Sequence, residues 1–248
     1  MILDGWGITQ DPKVSAIAQA NTPFIDSLYD KYPHATLRTD GEHVGLPEGQ
    51  MGNSEVGHMN LGAGRIVYQD LAKINKAIKE DTLKDEKVLV DALAFAKAES
   101  KKVHFLGLLS DGGVHAHIDH LKALIDVTQE MEVDEVFVHA FTDGRDVDPN
   151  SGAGHVEDLM NYVSGTNTQI ASITGRYFAM DRDQRWERVK KAYDVIVHGM
   201  GAPTHDPVKA IKDNYTAGIT DEFIDPIVVL NGTEPAGLVE EGDVVIFF

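Results

Sequence analysis

Short apolar segments alternate with longer amphipathic segments from residue 86 onwards. The short segments are rich in β-branched and aromatic residues and are bounded by Gly, Asp or Pro, which is typical of buried strands. They lie at 102–110, 135–141, 168–174, 226–230 and 243–248. The amphipathic segments repeat apolar residues at helical spacing and lie at 86–99, 118–131, 154–163, 184–197 and 206–217. This alternation predicts parallel βαβ units, and therefore an α/β fold with helices over a mainly parallel sheet.

The first 68 residues have a different character. They are rich in Gly, Asp, Asn and His, and only ILD (2–4) and ATLRT (35–39) suggest strands. A helical pattern, YQDLAKINKAIKE, begins at residue 68. We therefore predict two domains, 1–68 and 69–248. The chain opens on the strand-like ILD and stops on the apolar DVVIFF, whose side chains need neighbours, so we expect a fragment of a longer protein.

The charge balance excludes several classes of partner. The 248 residues carry 22 basic and 40 acidic side chains, a net charge of −18. Nucleic acids and anionic membranes bind surfaces with excess positive charge, so neither is an expected partner. No apolar run approaches the length of a membrane span, and the N-terminus lacks the features of a secretion signal. The chain has no cysteine, which fits a reducing compartment, and we expect a cytoplasmic protein.

The segment MGNSEVGH (51–58) places Ser54 between glycines. Serine is a favoured N-cap, so Ser54 fits an ordinary helix start. A strand–turn–helix junction flanked by glycines would instead project its hydroxyl towards a ligand, where helix N-terminal amides favour phosphate. Serine needs a base or a metal to act as a nucleophile at neutral pH. Asp4, the last residue of ILD, is either a metal ligand for that purpose or part of a plain Asp–Gly turn.

Three histidines and an aspartate form HAHIDH (115–120), directly after the strand predicted at 102–110. The spacing matches the H-x-H-x-D-H pattern of metallo-β-lactamase-like hydrolases, in which imidazoles and a carboxylate bind two metal ions. In the alternative interpretation, Asp119 and His120 open a solvated helix and one histidine faces a site. The hydrolase hypothesis also needs further metal ligands downstream.

Arginine is concentrated in one part of the chain. Of seven arginines, four fall between residues 176 and 188. Arg185 and Arg188 are interpreted as surface residues that pair with nearby carboxylates at helical spacing. Arg145 and Arg176 each follow a predicted strand and a glycine, at the rim where α/β proteins bind ligands. Guanidinium groups bind phosphate and carboxylate through paired hydrogen bonds, so the positions of these two residues indicate a small anionic ligand.

Four long motifs occur in the chain in a specific order. They are GQMGNSEVGHMNLGAGRIVYQD, LLSDGGVHAHIDHL, HAFTDGRDVDP and GRYFAMDRDQRWER. Together they resemble the cofactor-independent (2,3-bisphosphoglycerate-independent) phosphoglycerate mutases, and the resemblance runs over the whole chain. It implies an incomplete domain similar to alkaline phosphatases over 1–68 and an inserted α/β phosphotransferase domain over 69–248. It also implies interconversion of 3-phosphoglycerate and 2-phosphoglycerate by a monomeric enzyme.

The resemblance assigns roles to individual residues. Asp4 and Ser54 would be ligands of one of two manganese ions, with magnesium as the other option, and Ser54 would be the nucleophile that becomes phosphoserine. No 2,3-bisphosphoglycerate would be needed. His117 and His120 would be mostly structural. The implied substrate-binding residues are His115, Arg145, Asp146, Arg176 and Arg182.

The sequence departs from the family pattern in ending at residue 248. The remaining metal ligands of the family, two further substrate arginines and a lysine lie in a C-terminal half that this sequence lacks. We therefore expect the 248-residue chain to be inactive in isolation and to bind manganese poorly. A third hypothesis is that the inserted domain alone is a non-catalytic module that binds phosphoglycerate.

Overall fold

The computed structural model describes residues 2–248. The chain forms two compact units, unit 1 ending at Lys73 and unit 2 spanning Ile74–Phe248. The division falls within helix α4 (Asp70–Lys79), which the pattern starting at residue 68 predicts. The roles given above to domains 1–68 and 69–248 stay predictions. No helix within residues 2–248 is long and apolar enough to cross a membrane.

Unit 1 contains helices and turns. Its helices before α4 are α1 (Ala16–Gln19), α2 (Pro23–Lys31) and α3 (Ser54–Ala63). No strand forms between residues 2 and 73, so the strands predicted for ILD and ATLRT are wrong. Neither segment has a strand beside it, and a lone extended segment leaves its backbone N–H and C=O groups without a ladder partner.

Helix α3 is held by its neighbours within unit 1. The Asn60 side chain donates to the carbonyl oxygen of Val44 at 2.9 Å and accepts from the backbone N–H of Val67 at 2.6 Å. Val56 of α3 packs against Val44 in a small buried cluster. Gly45 has a φ of +80°, and a Cβ there would lie 2.1 Å from the carbonyl oxygen of Val67. These contacts fix the helix that carries Ser54.

Unit 2 is an α/β fold. Its strands are β1 (Val103–Leu108), β2 (Val136–Thr142), β3 (Thr168–Gly175), β4 (Ala202–Thr204), β5 (Ile227–Asn231), β6 (Glu234–Pro235) and β7 (Val244–Phe247). Its helices after α4 are α5 (Lys87–Ala98), α6 (Ile118–Glu130), α7 (Gly152–Tyr162), α8 (Arg176–Ala179), α9 (Trp186–His198) and α10 (Pro207–Thr216). The five predicted strands and the five predicted helices are confirmed, while β4, β6 and α8 are too short to show a period.

The sheet is mainly parallel, as predicted. Its strand order is β4-β5-β3-β2-β1-β7, and β6 pairs with β5 outside this path. The pairs β1–β2, β1–β7, β2–β3 and β4–β5 are parallel. The β3–β5 and β5–β6 pairs are antiparallel.

Helices cover both faces of this sheet. Phe105 of β1 points into the larger apolar cluster, where α5, α6, α7 and α10 pack. Its neighbour Leu106 points to the other face, where a smaller cluster holds α9. Adjacent strand residues alternate between the faces, and β1, β2 and β3 are therefore mainly apolar on both sides.

Three adjacent parallel strands end at the same edge. The strands β1, β2 and β3 end at Leu108, Thr142 and Gly175. Because parallel strands share their direction, the loops after them meet beyond their carboxyl ends. The candidate site of unit 2 is built from those loops.

Candidate functional site

Arg176 is the centre of the site in unit 2. It follows Gly175 at the end of β3, and only 6% of the residue is exposed. Its Nη1 donates to Asp143 Oδ1 at 2.7 Å and to Asp146 Oδ2 at 2.6 Å. Burial lowers the pKa of the Arg176 guanidinium, but hydrogen bonds and charges of the two carboxylates outweigh it and raise that pKa. The side chain is therefore a fixed, charged group.

Asp143, after β2, forms hydrogen bonds with residues that follow β1, β2 and β3. Its Oδ2 accepts from the Ser110 hydroxyl, after β1, at 2.7 Å. Its Oδ1 accepts from Arg176 and from the backbone N–H groups of Arg145 (3.1 Å) and Asp146 (3.0 Å). Burial raises the pKa of the Asp143 carboxyl, but the bonds from the Asp146 amide, Ser110 and Arg176 together hold it below its usual value. A buried carboxylate with this many donors stays ionised.

The arginines that follow β2 and β3 surround one cavity. The cavity has a volume of about 340 Å³. Arg145 Nη1 lies 3.9 Å from Glu222 Oε1, a long contact for an ion pair. Within residues 2–248, Arg182 forms no ion pair. The charge of Arg145 is thus weakly compensated and that of Arg182 is not compensated by an ion pair within the described residues. Such a wall suits an anionic ligand. The lining residues are Arg145, Arg176, Tyr177, Met180, Asp181, Arg182, Asp183, Arg188, Glu222 and Phe223.

His115 and Asp146 lie beside this cavity. His115 Nε2 is 3.8 Å from Asp146 Oδ2, the oxygen that also accepts from Arg176. The structure therefore brings the five residues implied as substrate ligands into one region: three line the cavity, Asp146 is bonded to Arg176, and His115 lies beside Asp146. Their roles in binding stay predictions.

Sequence reasoning missed the support of Glu222 and Phe223. Asp221 is fully buried; its Oδ2 accepts from the Gly152 N–H at 2.7 Å and its Oδ1 from the Tyr215 hydroxyl. Burial raises the pKa of the Asp221 carboxyl despite these bonds. This anchor holds the next two residues at the cavity wall. Its only signal in the sequence is an acidic residue after a turn, which is too common to identify it.

Arg188 was also misjudged from the sequence. Its side chain is 21% exposed and lines the cavity, so the surface interpretation is wrong for this residue. It pairs with a nearby carboxylate, as predicted, but this carboxylate belongs to Asp181, which precedes α9, and the pairing does not follow helical spacing. Arg185, by contrast, is exposed, in agreement with its assignment to the surface.

Unit 1 carries the other predicted pair. The Ser54 hydroxyl donates to Asp4 Oδ2 at 2.7 Å, and His58 Nδ1 lies 3.2 Å from the same hydroxyl oxygen. Asn53 is the N-cap of α3, accepting from the Val56 N–H at 3.1 Å, so Ser54 is the first helical residue and not the cap. The segment before Asn53 is not a strand, which corrects the predicted strand–turn–helix junction. Ser54 is exposed, with an acceptor and an imidazole at its hydroxyl.

The histidines of HAHIDH do not converge on a metal site. His117 caps α6 by accepting from the Asp119 N–H at 3.1 Å. His120 is buried, with Nε2 2.6 Å from Asn75 Oδ1, and burial lowers its pKa to about 4. Residues 2–248 contain no group of three or more side chains able to hold a metal ion. The di-metal arrangement predicted for the motif is therefore wrong, and so is the solvated setting of His120.

A known family matches most of the chain. The family described as BPG-independent PGAM N-terminus (iPGM_N) matches residues 74–248. A 2,3-bisphosphoglycerate-independent phosphoglycerate mutase of Flavobacterium johnsoniae is 64% identical over all of this chain and 49% of that protein. Proteins of the same name from Bacteroides fragilis and Myxococcus xanthus are 52% and 51% identical, over 49% and 48% of their lengths. The chain thus spans about half the length of these relatives.

A solved structure agrees with the fold. Leishmania mexicana phosphoglycerate mutase, crystallised at low cobalt concentration, matches 93% of this chain and 44% of its own, with 33% identity and a TM-score of 0.73.

Proposed function

The chain belongs to the family of the N-terminal region of BPG-independent phosphoglycerate mutases, and on that premise we propose that the whole protein interconverts 3-phosphoglycerate and 2-phosphoglycerate. The observation that carries the proposal is the arginine cavity at the carboxyl edge of β1–β3. The reaction is an isomerisation in which a phosphoryl group moves between two hydroxyls of one small acid. The proposed protein acts without 2,3-bisphosphoglycerate, as the names of its relatives state for them. A cytoplasmic location and a monomeric state stay predictions.

In this proposal the cavity holds the substrate by its anionic groups. Phosphoglycerate carries a carboxylate and a phosphate, and both suit the paired donors of guanidinium. Arg145 and Arg182, which have little compensation, bind these groups directly. Arg176 is fixed by Asp143 and Asp146 and supplies a preorganised charge.

Ser54 is the proposed phosphoryl carrier. Its oxygen attacks phosphorus and forms the phosphoserine bond while the bond to the 3-oxygen of glycerate breaks, and the proton lost by Ser54 ends on that 3-oxygen. The glycerate then turns, its 2-oxygen takes the phosphoryl group back, and the proton of the 2-hydroxyl returns to the Ser54 oxygen. Asp4 accepts the hydrogen bond of the attacking hydroxyl and orients it. Ser54 opens the ten-residue helix α3, whose first amides favour a phosphate group.

The donors at Ser54 fit part of a manganese site. A carboxylate oxygen and a hydroxyl oxygen 2.7 Å apart suit a hard divalent cation. Asp4 and Ser54 would hold one ion, and the remaining ligands would come from outside the described residues, within which no set of three occurs. When bound, the ion would lower the pKa of the Ser54 hydroxyl and offset phosphoryl charge.

The test is replacement of Ser54 by alanine in the whole protein. Ser54→Ala should lower mutase kcat at least 10⁴-fold and leave 3-phosphoglycerate binding within threefold, because the arginine cavity is untouched. Ser151→Ala is the matched control, since Ser151 also stands at a helix start and its hydroxyl donates to the Asp148 carbonyl. Normal turnover by Ser54→Ala would contradict the proposed carrier.

The substrate cavity lies entirely within Ile74–Phe248, which favours the binding module as a second candidate. In that case the 248-residue chain binds 3-phosphoglycerate in an Arg176-dependent way, while the whole protein has no mutase activity. In the mutase proposal the 248-residue chain binds but does not turn over, and the whole protein does both.

A further inference from the structure

Arg188 is held at the cavity wall by a stacking contact and two contacts with carboxylates. Its guanidinium carbon lies 3.9 Å from the centre of the Tyr177 ring. Its Nη1 donates to Asp181 Oδ1 at 3.0 Å and lies 3.6 Å from Asp183 Oδ2. Stacking and ion pairing together fix the direction of a planar guanidinium. The charge of Arg188 is therefore already matched, unlike that of Arg182.

Asp181 links Arg188 to the loop that carries Arg182. The Asp181 side chain is 1% exposed. Its Oδ1 accepts from Arg188, while its Oδ2 accepts from the backbone N–H of Asp183 at 3.2 Å and of Arg185 at 2.8 Å. Both carboxylate oxygens are thus committed. Loss of the Arg188 cation would leave a buried charge without its partner, a strongly unfavourable state.

The loop between Asp181 and Arg185 needs this support. Gln184 has a φ of +58°, in the left-handed region that residues with a side chain rarely adopt. The two backbone N–H groups bound by Asp181 lie on either side of Gln184. A loop in an unfavourable conformation opens readily when its hydrogen bonds are removed.

We propose that Arg188 is a positioning residue: acting through Asp181, it holds the 181–185 loop in the shape that presents Arg182 to the anion in the cavity. The inference rests on the proposed function, which makes this cavity the substrate site. Arg188 would then contribute to substrate binding although its own charge is paired with Asp181.

Direct binding of the anion by Arg188 makes the opposite prediction for Asp181. If Arg188 itself bound the ligand, Asp181→Asn would free its cation, and binding would strengthen or stay unchanged. If Arg188 acts through Asp181, then Asp181→Asn weakens binding about as much as Arg188→Gln does. The double variant is then no weaker than either single variant, because both changes release the same loop.

The experiment uses the 248-residue chain and two measurements. Calorimetric titration with 3-phosphoglycerate gives Kd, and NMR hydrogen exchange of the ligand-free chain reports the Asp183 and Arg185 amides. Arg188→Gln should raise Kd about tenfold and speed exchange of both amides at least tenfold. Arg188→Lys keeps the charge but loses the planar fork, so it should recover part of both effects. Arg185→Gln, an exposed arginine in the same loop, should change Kd less than twofold.

The outcomes separate the two proposals. Unchanged exchange at Asp183 and Arg185 in Arg188→Gln would overturn the positioning role, and so would tighter binding by Asp181→Asn. If the whole protein as well as the unmodified chain fails to bind 3-phosphoglycerate, while both amides respond as expected, the substrate proposal fails and the loop-holding role stands. Far-UV circular dichroism of each variant excludes general unfolding as the cause.

Discussion

A buried chain of polar side chains crosses the sheet of unit 2 and makes its stability depend on pH. His104 on β1, His139 on β2 and Ser172 on β3 are all buried. His104 Nδ1 lies 3.0 Å from His139 Nε2, and His139 Nδ1 lies 2.8 Å from the Ser172 hydroxyl. Asp243 Oδ2 lies 3.3 Å from the remaining nitrogen of His104. Both nitrogens of each imidazole therefore have a hydrogen-bonding partner.

His139 must stay neutral for this arrangement to persist. Burial lowers its pKa from 6.5 to about 3, and the nearby His104 adds to the shift. The unfolded chain therefore binds a proton on this residue below pH 6.5, whereas the folded chain does not until about pH 3. The stability that neutral His139 supports is complete above pH 6.5 and is lost as the pH falls.

The magnitude follows from the shift. One pH unit between these values changes the free energy of unfolding by about 1.4 kcal/mol. Lowering the pH from 6.5 to 5 should therefore remove about 2 kcal/mol through His139 alone. Burial also lowers the pKa of His120 to about 4, so this residue adds to the loss of stability as the pH falls. Burial raises the pKa of the Asp221 carboxyl, so protonation of Asp221 stabilises the folded chain as the pH falls. Because these effects overlap, the contribution of His139 must be measured with variants.

The assay is urea unfolding of the 248-residue chain at several pH values between 5 and 7.5. Far-UV circular dichroism follows the loss of helix, most of which lies in unit 2. His139→Gln should unfold more easily at pH 7.5 but should lose about 2 kcal/mol less than the unmodified chain between pH 6.5 and 5. The exposed His198 provides the control variant, His198→Gln, which should keep the full pH dependence. If the free energy of unfolding changed equally with pH in His139→Gln and in the unmodified chain, the role given to His139 would be refuted.

Three further substitutions test the packing around the two sites by thermal unfolding. Gly175→Ala should cost about 1–3 kcal/mol, because its Cβ would lie 2.4 Å from the carbonyl oxygen of Glu222; unchanged stability would contradict that close approach. Asp143→Asn should cost about 3 kcal/mol by leaving buried Arg176 with one carboxylate partner, whereas Asp126→Asn, at an exposed carboxylate, is its control. Asn53→Ala should cost about 1 kcal/mol of unit 1 stability by removing the α3 cap, and no loss would show that the cap is replaced.

The repeating elements of unit 2 could be predicted because each is long enough to show its period. The apolar runs of β1, β2 and β3 and the amphipathic faces of α5 to α7 carry that signal on their own residues. Unit 1 offers no such signal. ILD and ATLRT are apolar or β-branched, but a strand needs a partner, and neither segment has one among residues 2–73. Propensity without pairing does not make a sheet.

Some residues of the candidate site could likewise be predicted from the sequence, and others could not. Arg145 and Arg176 could be predicted because each follows a strand and a glycine in the chain. The residues that support the site could not, since their partners are distant in the chain: Asp143, which binds Arg176, lies 33 residues before it, and Asp221, which anchors Glu222 and Phe223, lies 69 residues after its partner Gly152. Their importance depends on burial and direction of the side chain, which only the folded chain defines.

The most direct test of the account follows the phosphoryl group itself. The whole protein is incubated with ³²P-labelled 3-phosphoglycerate, quenched in acid during turnover, digested and mapped by mass spectrometry. We expect the label on the Ser54 oxygen, at a level that falls when Asp4 is replaced by Asn. Label on another side chain, or steady turnover with no labelled serine at any quench time, would contradict the role of Ser54.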